Sequence, residues 1–280
     1  MSGVRVYEYM SSPVIVVSPS DTITRARNLM LRYGIGRLPV VENGVLVGII
    51  TAYDIAKAID EVGNKPLDTI PIELYMTRNP ITVDADAPIE EAAKLMVKYG
   101  IGGLPVLQNG RLVGIITKSD IVRAFAEKLK SRYKVENYLD PNVPIVSPSH
   151  SIAYVAKLLF EAPCKRVLVV ESGKLVGIIA PSDLAFAIPV QKLPRKAKVY
   201  KIAGVSPRGV YTALPYMRGV ALAADIMTPN PLTVKPSDDL AYAARLMARH
   251  GFSSVPVVDD ESDIRGIVVK HHILRALIAL

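Results

Sequence analysis

The stretch YGIGRLPVVENGVLVGIITAYDI at Tyr33–Ile55 is written again, almost unchanged, as YGIGGLPVLQNGRLVGIITKSDI at Tyr99–Ile121. Self-similarity of this kind constrains a fold more than any other sequence feature, because one supersecondary unit must then be used repeatedly. Pro39, Gly48, Thr51 and Asp54 recur 66 residues later as Pro105, Gly114, Thr117 and Asp120. LVGII returns at Leu175–Ile179, and a looser fourth copy runs from IMTPNPLTV at Ile226–Val234 through FSSVPVVDD to IRGIVV. The chain is one unit written four times, with a long insertion before the last copy.

Each unit parses alike. SPVIVV (Ser12–Val17), NPITV, VPIVS and NPLTV are short β-branched runs behind a proline and read as strands. A helix follows. In the second copy Asp86 is placed to cap it, Pro88 suits its first turn, and Ile89, Ala92, Ala93 and Met96 form an apolar stripe. Gly34, Gly100 and Gly251 then stop their helices in the left-handed conformation. Asn43-Gly44, Asn109-Gly110 and Ser172-Gly173 are hairpin turns between two apolar strands, while the fourth copy has an acidic loop around Asp259–Asp263. A second helix starts after Thr51, Thr117, Ala180 or Val269. Such a β-α-β-β-α unit covers half its sheet and has little core, so the units are expected to associate as two pairs.

Two features of the repeat carry chemistry. Thr51-x-x-Asp54 and Thr117-x-x-Asp120 stand at helix starts, where a hydroxyl and an acid three positions on make a capping box. The same geometry suits a ligand: free N–H groups and a threonine hydroxyl for phosphate, and a carboxylate for two neighbouring ribose hydroxyls. The second feature is the stretch before the central strand, Gly34-Ile35-Gly36-Arg37 and Gly100-Ile101-Gly102-Gly103. Helix stopping explains Gly34 and Gly100 but not Gly36 and Gly102. Glycines there allow close approach of backbone to a ligand, and the isoleucines can sandwich a flat base.

The h-P-V-h-x-x-x-G-x-h-h-G-h-h-T-x-x-D run after an M-x-x-x-P start resembles the CBS domain. Two such units resemble a Bateman module, and four resemble the gamma subunit of AMP-activated protein kinase. The resemblance implies an α/β (α+β) fold of four β-α-β-β-α repeats packed as two pseudo-two-fold pairs, with adenosine-binding clefts. The expected boundaries are 1–66, 67–130 and 131–187 for the first three repeats, 188–225 for the insertion and 226–280 for the fourth. The resemblance further implies that each cleft joins the Thr-x-x-Asp of one repeat to the pre-strand stretch and first strand of its partner. Thr117 and Asp120 would then face Ile35, Gly36 and Arg37 with Val14, Ile15 and Val16. Thr51 and Asp54 would face Ile101, Gly102 and Gly103 with Ile81, Thr82 and Val83. The Asp120 cleft would own Arg37, a forked cation suited to phosphate. The Asp54 cleft, with Gly103 at that position, would lack the charge.

The second pair departs from the pattern. Its third repeat reads Ala180-Pro181-Ser182-Asp183, keeping the acid without the hydroxyl, and the partner stretch Phe252-Ser253-Ser254 offers an aromatic face and two hydroxyls. This is a weaker candidate site. The fourth repeat reads Val269-Lys270-His271-His272 opposite Cys164-Lys165-Arg166, a cleft expected to be empty. His271-His272 is read as exposed helix rather than a metal site, and Cys164 as packing. No phosphate loop, H-E-x-x-H or G-x-S-x-G occurs.

The chain therefore reads as a non-catalytic sensor needing no cofactor. Its ligand would be AMP, ADP or ATP, with S-adenosylmethionine and NAD also carrying the adenosine that the motif reads. Its output would pass to a protein partner or a second copy. Charge keeps two alternatives open. The net charge is +8, and between Ile188 and Asp225 seven lysines and arginines stand against Asp225 alone. That basic segment also carries Tyr200, Tyr211 and Tyr216, which suits nucleic acid. The other alternative is an assembly module with vestigial clefts. With a single cysteine, no apolar run near the ~20 residues of a membrane span and no signal-peptide core at the N-terminus, the expected location is the cytoplasm.

Overall fold

The computed structural model describes residues 3–62, 66–129, 133–185 and 222–279. They form two compact units, Met1–Ala124 with Leu277–Leu280, and Phe125–Ala276. The first repeat contributes α1 (Ile23–Tyr33), β1 (Arg37–Glu42), β2 (Val45–Thr51) and α2 (Ala52–Val62). The second contributes β3 (Thr77–Arg78), β4 (Val83–Asp84), α3 (Ile89–Lys98), β5 (Gly103–Gln108), β6 (Arg111–Thr117) and α4 (Lys118–Lys128). The third gives β7 (Ile145–Val146), α5 (Ile152–Glu161), β8 (Val167–Glu171), β9 (Lys174–Ile179) and α6 (Pro181–Ala185). The fourth gives α7 (Ala223–Ile226), β10 (Thr228–Pro229), α8 (Leu240–His250), β11 (Ser254–Val258), β12 (Ile264–Val269) and α9 (Lys270–Ile278). Most of the basic segment, with Tyr200, Tyr211 and Tyr216, lies outside the described residues. Its last residues are described, and α7 opens there at Ala223.

The hairpins form as their turns require. Asn43 and Gly44 have φ of 50° and 81°, Asn109 and Gly110 50° and 75°, Ser172 and Gly173 50° and 77°. Both central residues of each turn are thus left-handed, which matches the twist of the flanking strands. Every hairpin carries a bulge at the same place, between Val40/Val41, Val106/Leu107, Val169/Val170 and Val257/Val258. Gly34, Gly100 and Gly251 take φ of 64°, 67° and 71° where their helices end.

Two local expectations change. Asp86 does not cap α3: its backbone N–H donates to Asp84 Oδ1 at 2.8 Å, and Pro88 holds the N-cap position instead. The first strands are also far shorter than their β-branched runs. In the first repeat only Val17 pairs, in parallel with Val40; β4 and β7 have two residues each, and Val234 alone meets Val257. Each run sits at a sheet edge behind a proline that brings no N–H, so little ladder is available to it.

Within each unit the repeats exchange their opening segments. Ser11, in the opening segment of the first repeat, exchanges both backbone hydrogen bonds with Ile115 on β6 of the second, at 2.9 and 3.1 Å. Reciprocally, β3 from the second repeat pairs with β2 of the first. In unit 2, Asp140 bridges to Ile267 on β12, and β10 pairs with β9. The cores follow the same exchange. Ile72 and Met76 from the second repeat's opening segment are buried among Ile23, Met30, Leu38, Val40 and Ile50 of the first. Ala223 and Ile226 likewise join Val155, Leu159, Val167 and Ile179. Each repeat completes its partner's sheet and core, which explains why they occur in pairs.

Candidate functional site

The residue three places into each second helix caps its start in all four repeats. The Thr51 N–H and Oγ1 both donate to Asp54 Oδ2, at 2.8 and 2.6 Å. Thr117 does the same to Asp120 Oδ2, at 2.9 and 2.7 Å. Ala180 N–H donates to Asp183 Oδ2 at 2.8 Å, and Val269 N–H to His272 Nδ1 at 3.3 Å. The capping interaction is therefore made, and in the two threonine repeats it occupies one carboxylate oxygen.

The second oxygens differ. Arg123 Nη2 donates to Asp120 Oδ1 at 3.2 Å and to the Tyr9 carbonyl at 2.8 Å, with the guanidinium 5.6 Å from the Tyr9 ring centre. Among the described residues Asp120 is the buried carboxylate of the unit, 8% exposed, and is tied to the first repeat's opening segment. Among the described residues, no donor reaches Asp54 Oδ1. That oxygen is the freer of the two as an acceptor.

The glycine stretches lie beside these turns. Lys118 N–H donates to the Gly102 carbonyl at 3.1 Å, and Ala52 N–H to the Gly36 carbonyl at 2.9 Å. Arg37 stands opposite Thr51 on β1 and β2, yet its guanidinium ends against Gly102 and Gly103, within 2.7 Å of where a Cβ at Gly102 would stand. Gly103 in turn stands opposite Thr117. Arg37 thus crosses from one Thr-x-x-Asp turn toward the other. The space beside Gly103 is taken by the Arg37 guanidinium, which also lies close enough to Asp120 to feel its charge. Burial lowers the Arg37 pKa, partly offset by the nearby Asp120 charge. Lys118 is lowered by burial and then by Arg37. It is a functional candidate that reading the repeats missed. Its signal was present: TKSD holds a lysine where TAYD holds Ala52.

Of the other expected residues, Val14, Ile15, Ile35, Ile81, Thr82, Ile101 and Gly102 are half-buried, Val83 and Gly103 are buried, and Val16 and Gly36 are exposed. Ile15 and Ile35 rest against the core of the first repeat.

In unit 2, Arg166 occupies the position of Arg37 and Ser254 that of Gly103. Arg166 Nε donates to Ser254 Oγ at 3.0 Å, Nη2 to Ser253 Oγ, and Nη1 to the Lys165 carbonyl at 2.6 Å. The two hydroxyls expected to face a ligand are thus held by the protein's own arginine. Burial lowers the Arg166 pKa, partly offset by Cys164 and Asp183. Phe252, the expected base platform, stacks on His250 with ring centres 5.3 Å apart. Cys164 is buried, and burial raises its pKa. Among the described residues, no three His, Cys, Asp or Glu side chains are grouped to hold a metal, and no helix is long and apolar enough to cross a membrane.

Paired sheets with exchanged opening segments, and Thr-x-x-Asp turns beside glycine stretches, define a class of paired-repeat protein. The CBS domain matches this chain four times, at residues 6–61, 72–127, 135–190 and 223–279, and the chain belongs to that family. Protein MJ1225 of Methanocaldococcus jannaschii is 26% identical over 281 residues, covering 94% of each chain. Its crystal structure, offered as a candidate archaeal homologue of g-AMPK, matches 98% of this chain and 99% of that one with a TM-score of 0.71 at 25% identity. An uncharacterised conserved protein of Pyrococcus horikoshii shares the fold over 98% of this chain and 100% of that one, with a TM-score of 0.68 at 24% identity. The CBS domain pair of protein MJ0100, crystallised with 5′-methylthioadenosine and S-adenosyl-L-methionine, is 39% identical over 45% of this chain and 98% of that one, with a TM-score of 0.41.

Proposed function

We propose that this chain is a non-catalytic regulatory protein that binds an adenosine phosphate, AMP, ADP or ATP, in unit 1. The observation that carries the reading is the meeting of Arg37 and Lys118 beside the Thr117–Asp120 turn. Among the described residues neither cation's side chain has a hydrogen bond or ion pair, and both are desolvated. Partly burying two cations that repel each other is unfavourable, Asp120 offsets this only in part for Arg37, and an anionic ligand relieves it. The carboxylates of Asp54 and Asp120 supply ribose acceptors, and the glycine stretches admit the base. The full-length likeness to MJ1225 supports a role of the g-AMPK kind.

A bound ligand bridges the two repeats of unit 1 and favours the arrangement it fits best. It shifts such an equilibrium only by its differential affinity for the two states, so the output is a protein partner or second copy that distinguishes them. Thermal-shift titration with adenosine, AMP, ADP, ATP, S-adenosylmethionine and NAD tests the reading. A single-site ligand at 100 times Kd adds about 2.7 kcal/mol, several degrees in Tm. The expected result is a shift by the adenosine phosphates that Asp120→Ala reduces. No shift by any member of the panel overturns it.

A further inference from the structure

Of the two equivalent positions in unit 1 one carries Arg37 and the other Gly103, and the Arg37 guanidinium lies against Gly103. A Cβ at Gly103 would meet the Arg37 guanidinium and lie 3.0 Å from the Ile116 carbonyl, so glycine at this position leaves the guanidinium its place. One side chain serves a pair of turns: its backbone stands opposite Thr51, and its tip lies beside the strand position opposite Thr117. Unit 2 follows the same rule with Arg166 against Ser254, but there two serine hydroxyls and a carbonyl saturate the guanidinium. Gly102 and Gly103 bring no side-chain acceptor to Arg37. Its fork is left available, with Lys118 on the Asp120 side.

We infer that Arg37 is one cation shared by the two clefts of unit 1, so that the clefts compete for it and only one holds a multiply charged adenosine phosphate tightly at a time. The inference rests on the adenosine-phosphate reading above and adds a coupling between its two sites. The first ligand settles at Thr117–Asp120, where Arg37 and Lys118 both reach its phosphates. A second ligand at Thr51–Asp54 then finds neither, since Ala52 replaces the lysine and Arg37 is engaged. An unphosphorylated nucleoside does not use the guanidinium, so its two binding steps are uncoupled.

The test is calorimetric titration of the full chain with ADP and, separately, adenosine, on the wild type, Arg37→Gln, and the single-cleft variants Asp54→Ala and Asp120→Ala. In the wild type the second ADP is expected to bind at least about tenfold more weakly than statistics predict, the loss of one charge-assisted contact. The Asp54→Ala variant should retain the tight step and Asp120→Ala should lose it. In Arg37→Gln the first ADP step should weaken and the coupling between the steps should vanish, leaving only the difference that Lys118 makes between the clefts. Equivalent, independent ADP steps in the wild type, or coupling that survives Arg37→Gln, would overturn the shared cation while leaving the adenosine reading intact. Absence of binding by both ligands in every protein would instead remove the adenosine reading itself.

Discussion

Met76 Sδ stands 2.7 Å from the place a Cβ would take at Gly48, and the Thr77 carbonyl oxygen is 3.1 Å from it. The glycine of LVGII is thus a docking point for the methionine that opens the partner repeat. Gly114 meets Met10 and Gly177 meets Met227 in the same way, whereas Gly266, at φ 144°, meets the Asp140 carbonyl. Gly48→Ala is expected to destabilise unit 1 by about 1–3 kcal/mol, although alanine otherwise suits a strand better than glycine. The flexible thioether can move but the Thr77 backbone cannot do so freely. Denaturant unfolding of Gly48→Ala, Met76→Ala and the double variant checks this. A smaller loss from Gly48→Ala when Met76 is already truncated is the expected coupling.

The repeat, its turns and its helix stops are legible in the sequence because each depends on neighbours a few residues away. Asn43-Gly44 needs only its own φ angles, and Gly34 only the end of its own helix. What connects the repeats is less legible. Nothing near Gly48 in the chain announces Met76, and nothing near Gly103 announces Arg37, since both contacts cross between repeats. The alignment of copies did hold a clue. Positions 37 and 103 pair a large cation with glycine, and positions 166 and 254 pair one with serine, which is what a contact across a pseudo-two-fold axis requires. The sheet edges were over-read for a related reason: β-branched composition speaks for extended backbone, not for the number of available partners.

Asp54 and Asp120 occupy equivalent positions with unequal surroundings, so their alanine variants should differ. Asp120→Ala removes an acceptor for ligand and also releases Arg123 and the Tyr9 carbonyl, so both ligand affinity and stability should fall. With charge-assisted hydrogen bonds worth roughly 1.5–3 kcal/mol each, the ligand should weaken about 10–150-fold. Asp54→Ala should weaken its own cleft with a smaller loss of stability, limited to about 1 kcal/mol for a lost cap. Calorimetry with ADP beside thermal denaturation separates the two effects. Equal stability losses would show that the Arg123 bridge contributes nothing.

Arg166 predicts the opposite separation. Glutamine at this position cannot reach Ser253, Ser254 and the Lys165 carbonyl together. Arg166→Gln should therefore lower the stability of unit 2 by about 1–3 kcal/mol. It should leave ADP affinity in unit 1 unchanged, because Arg37 and Lys118 are untouched. Urea unfolding and calorimetry on one preparation read both quantities.

His272 gives the chain an acid-sensitive helix start. It stands where three other repeats have aspartate, and its Nδ1 accepts from Val269 N–H only while that nitrogen is unprotonated. Burial lowers its pKa to about 4 from an ordinary 6.5; Asp140 opposes the shift, and His271 and Arg275 add to it. The unfolded chain therefore takes up a proton that the folded chain refuses between these two values. Stability should be unaffected by this group above the unfolded value and should decline as pH falls from about 6.5 toward about 4. Partial exposure of the ring reduces the effect to roughly 1–3 kcal/mol. His272→Asn retains an acceptor for Val269 without titrating, so its unfolding midpoint should fall less over that window. Denaturant unfolding at several pH values measures the difference, and parallel profiles for wild type and variant would show that His272 does not set the acid sensitivity.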